Sequence, residues 1–362
     1  MAIEPHTGYL VVADLTGYTA YLSRSEIEHA PTIAGDLLET IVGRLEPPFR
    51  LAKFEGDAAF LFVEDGRAEG SLLLDAIEAS YLAFRRRLRS IEGATTCDCK
   101  ACSLAPRLDL KLFIHHGSYV HGRIAGRDEL AGPDVILVHR LLKGATASAA
   151  GPNGFALLTQ AAVAALGIDP GALGLTPTRE SVEHLGEVEA FVLDLEARWQ
   201  AESGRPRLEV PAERAVLDLS VVARAEPAVV WAHLTSPSLR PLWEGPILIE
   251  EVSAGARRGV GTTAQCVTGR LATIEEIVDW QPYDHVGWRL AVPGVGPVDA
   301  TVDLDATEGG TSVRLRWAPG GPGPADTGTI APIAREKRLA LDRLATLLDA
   351  GGRTETAREV HR

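Results

Sequence analysis

The sequence predicts an α+β protein built from two domains, and three observations carry that prediction. Short apolar runs alternate with helix-period segments through the first half. β-like runs separated by Gly, Pro and Asp crowd the second. The aromatic residues also change kind between the halves: the eight Phe all lie at or before Phe191, and the six Trp all lie at or after Trp199. One core rarely sorts its aromatics this way, and a chain of 362 residues is long enough for two. The polar stretch Glu202-Ser203-Gly204-Arg205-Pro206-Arg207 reads as the junction. The expected divisions are a first domain over 1–200, a linker over 201–212, a second domain over 213–350 and a flexible polar tail over 351–362.

In the first half, Gly8 to Leu15 is a short apolar run suited to a buried strand. Ile33, Leu37, Leu38, Ile41, Val42 and Leu45 recur at helical spacing, and Pro47-Pro48 ends that helix. Arg50–Phe54 and Ala58–Val63 read as a hairpin turning at Glu55-Gly56-Asp57. A helix over Gly70–Ile91, a Cys-bearing loop, a strand over Leu108–Gly117 and a helix over Gly132–Lys143 complete a β-α-β-β-α-β order with appended elements. In the second half, a strand over Ala215–Arg224 precedes a helix opened by Pro227. Six β-like runs between Ile247 and Trp317 follow, and then an amphipathic helix bearing Ile333, Leu341, Leu344 and Leu348.

The charge balance, 36 Lys+Arg against 49 Asp+Glu, gives a net −13 and opposes non-specific binding to nucleic acid or anionic membrane. No apolar run approaches the ~18 residues of a transmembrane helix, and the start lacks a basic, then apolar, leader. Of the four Cys, Cys97, Cys99 and Cys102 crowd together and Cys266 stands alone, a pattern that fits a reducing cytoplasm better than a disulfide framework. The C-x-C-x-x-C run has three readings: a zinc site completed by a histidine such as His115, His116 or His121, a redox pair, or a loop with neither role. His29 reads as a cap or surface group, and His139 as an imidazole packed against the sheet.

Asp14 and Asp57 stand where strands end or turn. Carboxylates at adjacent strand ends can hold Mg²⁺ or Mn²⁺, hard cations that prefer oxygen donors and phosphates. Asp14-Leu15-Thr16-Gly17-Tyr18-Thr19 resembles the first-strand metal motif of the class III nucleotidyl cyclases, Asp-(Ile/Leu)-x-Gly-(Phe/Tyr)-Thr. Lys53-Phe54-Glu55-Gly56-Asp57 is similar to their Lys-x-x-Gly-Asp hairpin, and the spacing between the two acids is similar too. His116-Gly117, Gly122, Ile124-Ala125-Gly126 and Gly132-Pro133-Asp134-Val135 resemble the segments that follow, so the likeness runs over about residues 8–145.

The resemblance implies a ferredoxin-like sheet, a homodimer with the site between subunits, and a nucleoside triphosphate ligand. It implies that Asp14, Asp57 and the Leu15 carbonyl hold two Mg²⁺ or Mn²⁺ ions. Lys53, Gly56 and Glu129 would bind nucleotide, with Lys53 and Glu129 at the purine, and Arg140 would face the transition state. The helix departs from the family's Val-Asn-x-x-x-Arg. It reads Val135-Ile136-Leu137-Val138-His139-Arg140, so Ile136 supplies no amide to orient the attacking hydroxyl, in a chemistry that depends on placement and charge stabilisation.

Val221 to Trp231 and Leu239-Arg240-Pro241-Leu242-Trp243 resemble the opening of the START-like, polyketide-cyclase-like superfamily, over about residues 213–350. That likeness implies a helix-grip fold around an apolar cavity for a small hydrophobic ligand, with Trp231, Trp243, Trp280 and Trp288 as candidate lining. The combined expectation is a nucleotide- and metal-binding cyclase homologue of little or no turnover joined to a ligand-binding domain. The alternatives are an active adenylate cyclase working by a two-metal mechanism and a non-catalytic scaffold.

Overall fold

A computed structural model describes residues 4–26, 28–94, 99–144, 146, 154–268, 271–320 and 327–359. The chain divides into two units, Met1–Arg205 and Pro206–Arg362. The first is organised by β1 (Pro5–Thr16), whose residues from Gly8 to Ala13 are all buried. Such a continuous apolar run marks a strand with neighbours on both sides and cover on both faces. Those neighbours are β3 (Ala58–Glu64) and β4 (Asp109–Ile124), both antiparallel to it. With β2 (Arg50–Glu55), β5 (Arg127–Ala131), β6 (Phe155–Thr159), β7 (Thr176–Val182) and β8 (Gly186–Asp194), the sheet runs β2-β3-β1-β4-β6-β8-β7, and β5 pairs with β4.

Between β1 and β2 come α1 (Tyr18–Arg24) and α2 (Ala30–Leu45). α3 (Gly70–Ala94) packs against α2 and precedes β4. The spatial order β2-β3-β1-β4 with these connections is the ferredoxin-like βαββαβ core expected of a cyclase-type sheet. α4 (Lys100–Leu104) follows the Cys-bearing loop, and α5 (Pro133–Leu141) lies against β4. Leu10, Val12, Phe60, Phe62, Phe113, Val138 and Leu157 are among the side chains of the core between α5 and the sheet.

The second unit is a seven-stranded antiparallel sheet and a long final helix, Thr327–Glu359, the helix-grip arrangement. Its strands are β9 (Leu217–Ala223), β10 (Leu248–Val252), β11 (Thr263–Thr268), β12 (Leu271–Gln281), β13 (His285–Val292), β14 (Gly296–Thr307) and β15 (Gly310–Pro319), in the order β10-β11-β12-β13-β14-β15-β9. Ile330, Leu341, Leu344 and Leu348 of the helix are buried.

Composition misreads two segments. Residues 201–204 are not linker but the last turn of the helix Leu195–Gly204. Residues 207–210 are held by the second unit. Asp279 accepts from Leu208 N at 2.9 Å, Asp303 takes Arg207 at 2.9 Å, and Arg316 donates to the Val210 carbonyl at 3.3 Å. His285 sits 1% exposed between the two acids, 2.8 Å from Asp303 and 3.4 Å from Asp279. A Cβ at Gly287 would press within 3.0 Å of Leu208, so glycine leaves the space this segment fills. The final helix continues through Glu359, past the expected start of the tail. Polar sequence still forms helix when the turns before it are already nucleated, and even Gly costs only about 1 kcal/mol relative to Ala.

Candidate functional site

Register places the acids. Asp14, near the end of β1, lies opposite Ala58 of β3 and opposite Lys111 of β4. Asp57 sits in the β2–β3 turn, where Gly56 supplies the positive φ of 69° that the reversal needs. The Asp57 carbonyl accepts from Leu15 N at 3.1 Å, which stitches the turn to the end of β1. Burial pushes the Asp14 carboxyl up to about 6, the negative charge of Asp57 adds to the shift, and the Lys111 ammonium opposes it. Two half-buried carboxylates whose charges act on one another offer hard oxygen donors, the kind that Mg²⁺ or Mn²⁺ takes. Lys111 was not singled out in the sequence, where it is one cation in an apolar run. It is itself buried and lies 5.4 Å from the Phe155 ring, and burial lowers its pKa against the pull of Asp14 and Asp109.

Lys53 and Glu129, distant in sequence, meet at 2.7 Å, and Lys53 also lies 3.1 Å from Glu55. The hydrogen bond to Glu129 raises the Lys53 pKa although burial works against it. A cation and an acid side by side can offer a donor and an acceptor to one purine edge. On α5, Ile136 and Arg140 are one helical turn apart and exposed, at 55% for Ile136 and 46% for the Arg140 side chain. Arg140 lies 3.4 Å from Glu183. Behind that face His139 packs edge-on to Phe60, donates through Nδ1 to the Val135 carbonyl at 2.7 Å, and lies 2.9 Å from Glu55.

The glycine motif near residue 117 is structural. Asp134 accepts from Ser118 N at 2.7 Å and lies 3.2 Å from His115, whose other ring nitrogen meets the Thr159 hydroxyl at 2.9 Å. A Cβ on Gly117 would overlap the Asp134 carboxylate. His116 is engaged by Asp65 at 2.9 Å and His121 stands beside His6 and Glu64. None of these three histidines completes the cysteine group. The imidazole beside Cys99 and Cys102 is that of His29. Cys97 lies outside the described residues.

In the second unit, a small cleft with a cavity volume of about 20 Å³, room for about one water, is lined by residues including Leu234, Ile249, Ile277, Trp280, Trp288 and Arg240. Trp280 and Trp288 are among the residues that line it. Trp231 and Trp243 are not lining. Trp231 is fully buried and stacks edge-on to Trp280 at 4.7 Å, and Trp243 donates its indole N–H to the His233 carbonyl at 2.8 Å. Large aromatics fill a core as readily as they line a cavity.

The pocket is also more polar than expected. Arg240 grips Glu275 through two hydrogen bonds of 2.7 and 3.1 Å and Glu244 through one of 2.6 Å, and Arg258 pairs with Glu251 at 2.9 and 3.1 Å. Burial works against the Arg240 charge, but Glu244 and Glu275 outweigh it and its pKa rises. Burial also opposes the Glu244 charge, yet Arg240 and Lys337 hold that carboxyl down to about 2. In sequence, Arg240 and Glu275 are two charges 35 positions apart with nothing to pair them.

Residues 34–150 match a family described as a protein of unknown function (DUF2652). Residues 214–349 match the family described as polyketide cyclase / dehydrase and lipid transport. The uncharacterized protein Rv2561/Rv2562 of Mycobacterium tuberculosis is 33% identical over 160 residues, a match that takes in 44% of this chain and 72% of that one. Among solved structures, the adenylyl cyclase CyaB from P. aeruginosa is similar over 54% of this chain and 97% of its own, at 16% identity and a TM-score of 0.39. Protein CV1439 from Chromobacterium violaceum is similar over 36% of this chain and 95% of its own, at 18% identity and a TM-score of 0.29. Among the described residues no helix is long and apolar enough to cross a membrane.

Proposed function

The chain belongs to one family with the mycobacterial protein Rv2561/Rv2562, and because that kinship names no chemistry we propose a function from the side chains themselves: the first unit binds a purine nucleoside triphosphate with a divalent cation and turns it over little. The observation that carries this reading is the placing of Asp14 at the end of β1, opposite Ala58, beside the turn residue Asp57, whose carbonyl accepts from Leu15 N at 3.1 Å; burial and the charge of Asp57 both push the Asp14 carboxyl up. Two acids held against each other are relieved by a cation that both can share. Asp14, Asp57 and the Leu15 carbonyl would hold the Mg²⁺ or Mn²⁺, which when bound neutralises phosphate charge. Lys53 and Glu129 would read the purine edge, and Lys111 keeps a positive charge beside Asp14.

Low turnover follows from α5. Its exposed face offers Arg140 but, one turn earlier, an aliphatic Ile136 where an amide would position the attacking hydroxyl. In a homodimer with the site at the subunit boundary, that face and the exposed Phe54 would be covered. The second unit, by its match to the family described as polyketide cyclase / dehydrase and lipid transport, would bind a small ligand with an apolar body and a polar group, and the cleft of about 20 Å³ would have to widen to admit it. Trp280, Trp288 and Ile277 would meet the first, and the Arg240 and Arg258 ion pairs the second.

Titration calorimetry with Mn²⁺ and ATP or GTP tests the first unit. Binding by the wild type, weakened about tenfold or more in Asp57→Ala, is the expected result. No binding by the wild type, or equal binding by the variant, refutes it and leaves the scaffold reading. Chromatography of the same mixture for cyclic nucleotide and pyrophosphate separates a binder from an active cyclase.

A further inference from the structure

Several short pieces meet around the cysteines. α1 has seven residues, one of them buried, and no side-chain cap at Gly17. His29 occupies the N-cap of α2 without making a capping bond, and α4 has five residues with Cys99 at its N-cap. These short pieces nevertheless pack together. Glu26 accepts from Ala101 N at 3.0 Å across the gap between α1 and α4.

At the centre of the group, His29 Nδ1 lies 3.4 Å from Cys99 Sγ, which accepts from Cys102 N at 3.4 Å. The three donor atoms, one nitrogen and two sulfurs, lie within 4.8 Å of one another. Zinc binds sulfur at about 2.3 Å and imidazole at about 2.0–2.1 Å, so a tetrahedral ion sets neighbouring S and N donors about 3.6 Å apart. Beside the two thiols the Tyr21 hydroxyl is buried, without a hydrogen-bond partner among the described residues.

We propose that His29 Nδ1, Cys99 Sγ and Cys102 Sγ hold one zinc ion, and that the ion fastens the segment after β1 to α4. Each thiol releases its proton to water as the ion binds. Soft sulfur and imidazole donors select zinc here, whereas the oxygen set at Asp14 and Asp57 selects Mg²⁺ or Mn²⁺, so the two sites do not compete. The inference stands independently of nucleotide binding.

Elemental analysis of the full chain, purified without chelator, should find one zinc per chain. Replacement by Co²⁺ should give the visible absorption of a tetrahedral thiolate-bound ion. His29→Ala and Cys102→Ser should each weaken zinc binding about tenfold or more, while Cys266→Ser keeps the full equivalent. The cobalt spectrum of the wild type does not depend on any variant folding, and circular dichroism checks those that are made. A wild type with neither zinc nor the cobalt spectrum, or a folded His29→Ala chain that binds zinc as the wild type does, overturns the proposal.

Discussion

The Asp14–Asp57 pair and the Arg240–Glu244–Glu275 cluster are both charge groups removed from water, and the protein settles them in opposite ways. Asp14 faces another acid and only one cation, so its carboxyl rises to about 6. Glu244 is more deeply buried, but Arg240 lies 2.6 Å away and Lys337 3.0 Å away, and its carboxyl falls to about 2. Matched charge inside a protein holds elements together: here it ties the short helix Pro241–Glu244 to β12 and, through Lys337, to the final helix. Mismatched charge is where something from outside lowers the free energy. The pocket of the second unit is therefore polar yet internally neutralised, and the end of β1 is small yet short of positive charge.

The strongest test of this contrast is Arg240→Ala. It leaves Glu244 and Glu275 buried without their shared partner and should destabilise the second unit by about 3–5 kcal/mol, read by chemical denaturation. A change under about 1 kcal/mol would mean that solvent already reaches the cluster. Next in size is Ile136→Asn, which restores an amide one turn before Arg140. If placement is what the first unit lacks, cyclic nucleotide formation should rise up to about a hundredfold over the wild-type background, measured by chromatography. No rise would trace the deficit to groups other than residue 136.

The smallest effect concerns pH. A carboxyl whose folded pKa is raised favours the folded state most below its ordinary value near 3.8, and this contribution is lost as pH climbs through about 6. Asp14→Asn should therefore raise stability at pH 7, by about 1 kcal/mol after allowing for partial contact with solvent, or about 2–4 °C in melting temperature. It should also flatten the profile between pH 4 and 6. Glu244 has the reverse sign. Its contribution is present above its ordinary 4.5 and fades as pH falls toward about 2. Calorimetric scans across pH should show the two units parting in this way. A first unit as stable at pH 7 as at pH 4 would contradict the raised Asp14.

The sequence carried the elements and the acid pair because both depend on local pattern. A run such as Gly8–Ala13, short and bounded by an acid, suits a buried strand, and an acid at a strand end and one in a Gly turn fall beside each other once the strands pair. What stayed hidden depends on register or on long-range closure. Lys111 becomes a partner of Asp14 only when β4 pairs at one particular offset. His29 reads as a helix cap until α4 folds back on it. Trp231 and Trp243 could be placed in a cavity or a core with equal right, since hydrophobicity alone does not say which side of a sheet or helix is filled.

The clasp formed by Asp279, His285 and Asp303 on residues 207–208 has a practical meaning for anyone dividing this protein. A recombinant fragment cut at residue 213, where a likeness-based boundary would fall, begins after the strap that Asp279 and Asp303 hold. One cut at Pro206 keeps the strap in place. The longer fragment should be the better behaved of the two, because the stretch that looks like a tether is the outermost layer of the unit it precedes.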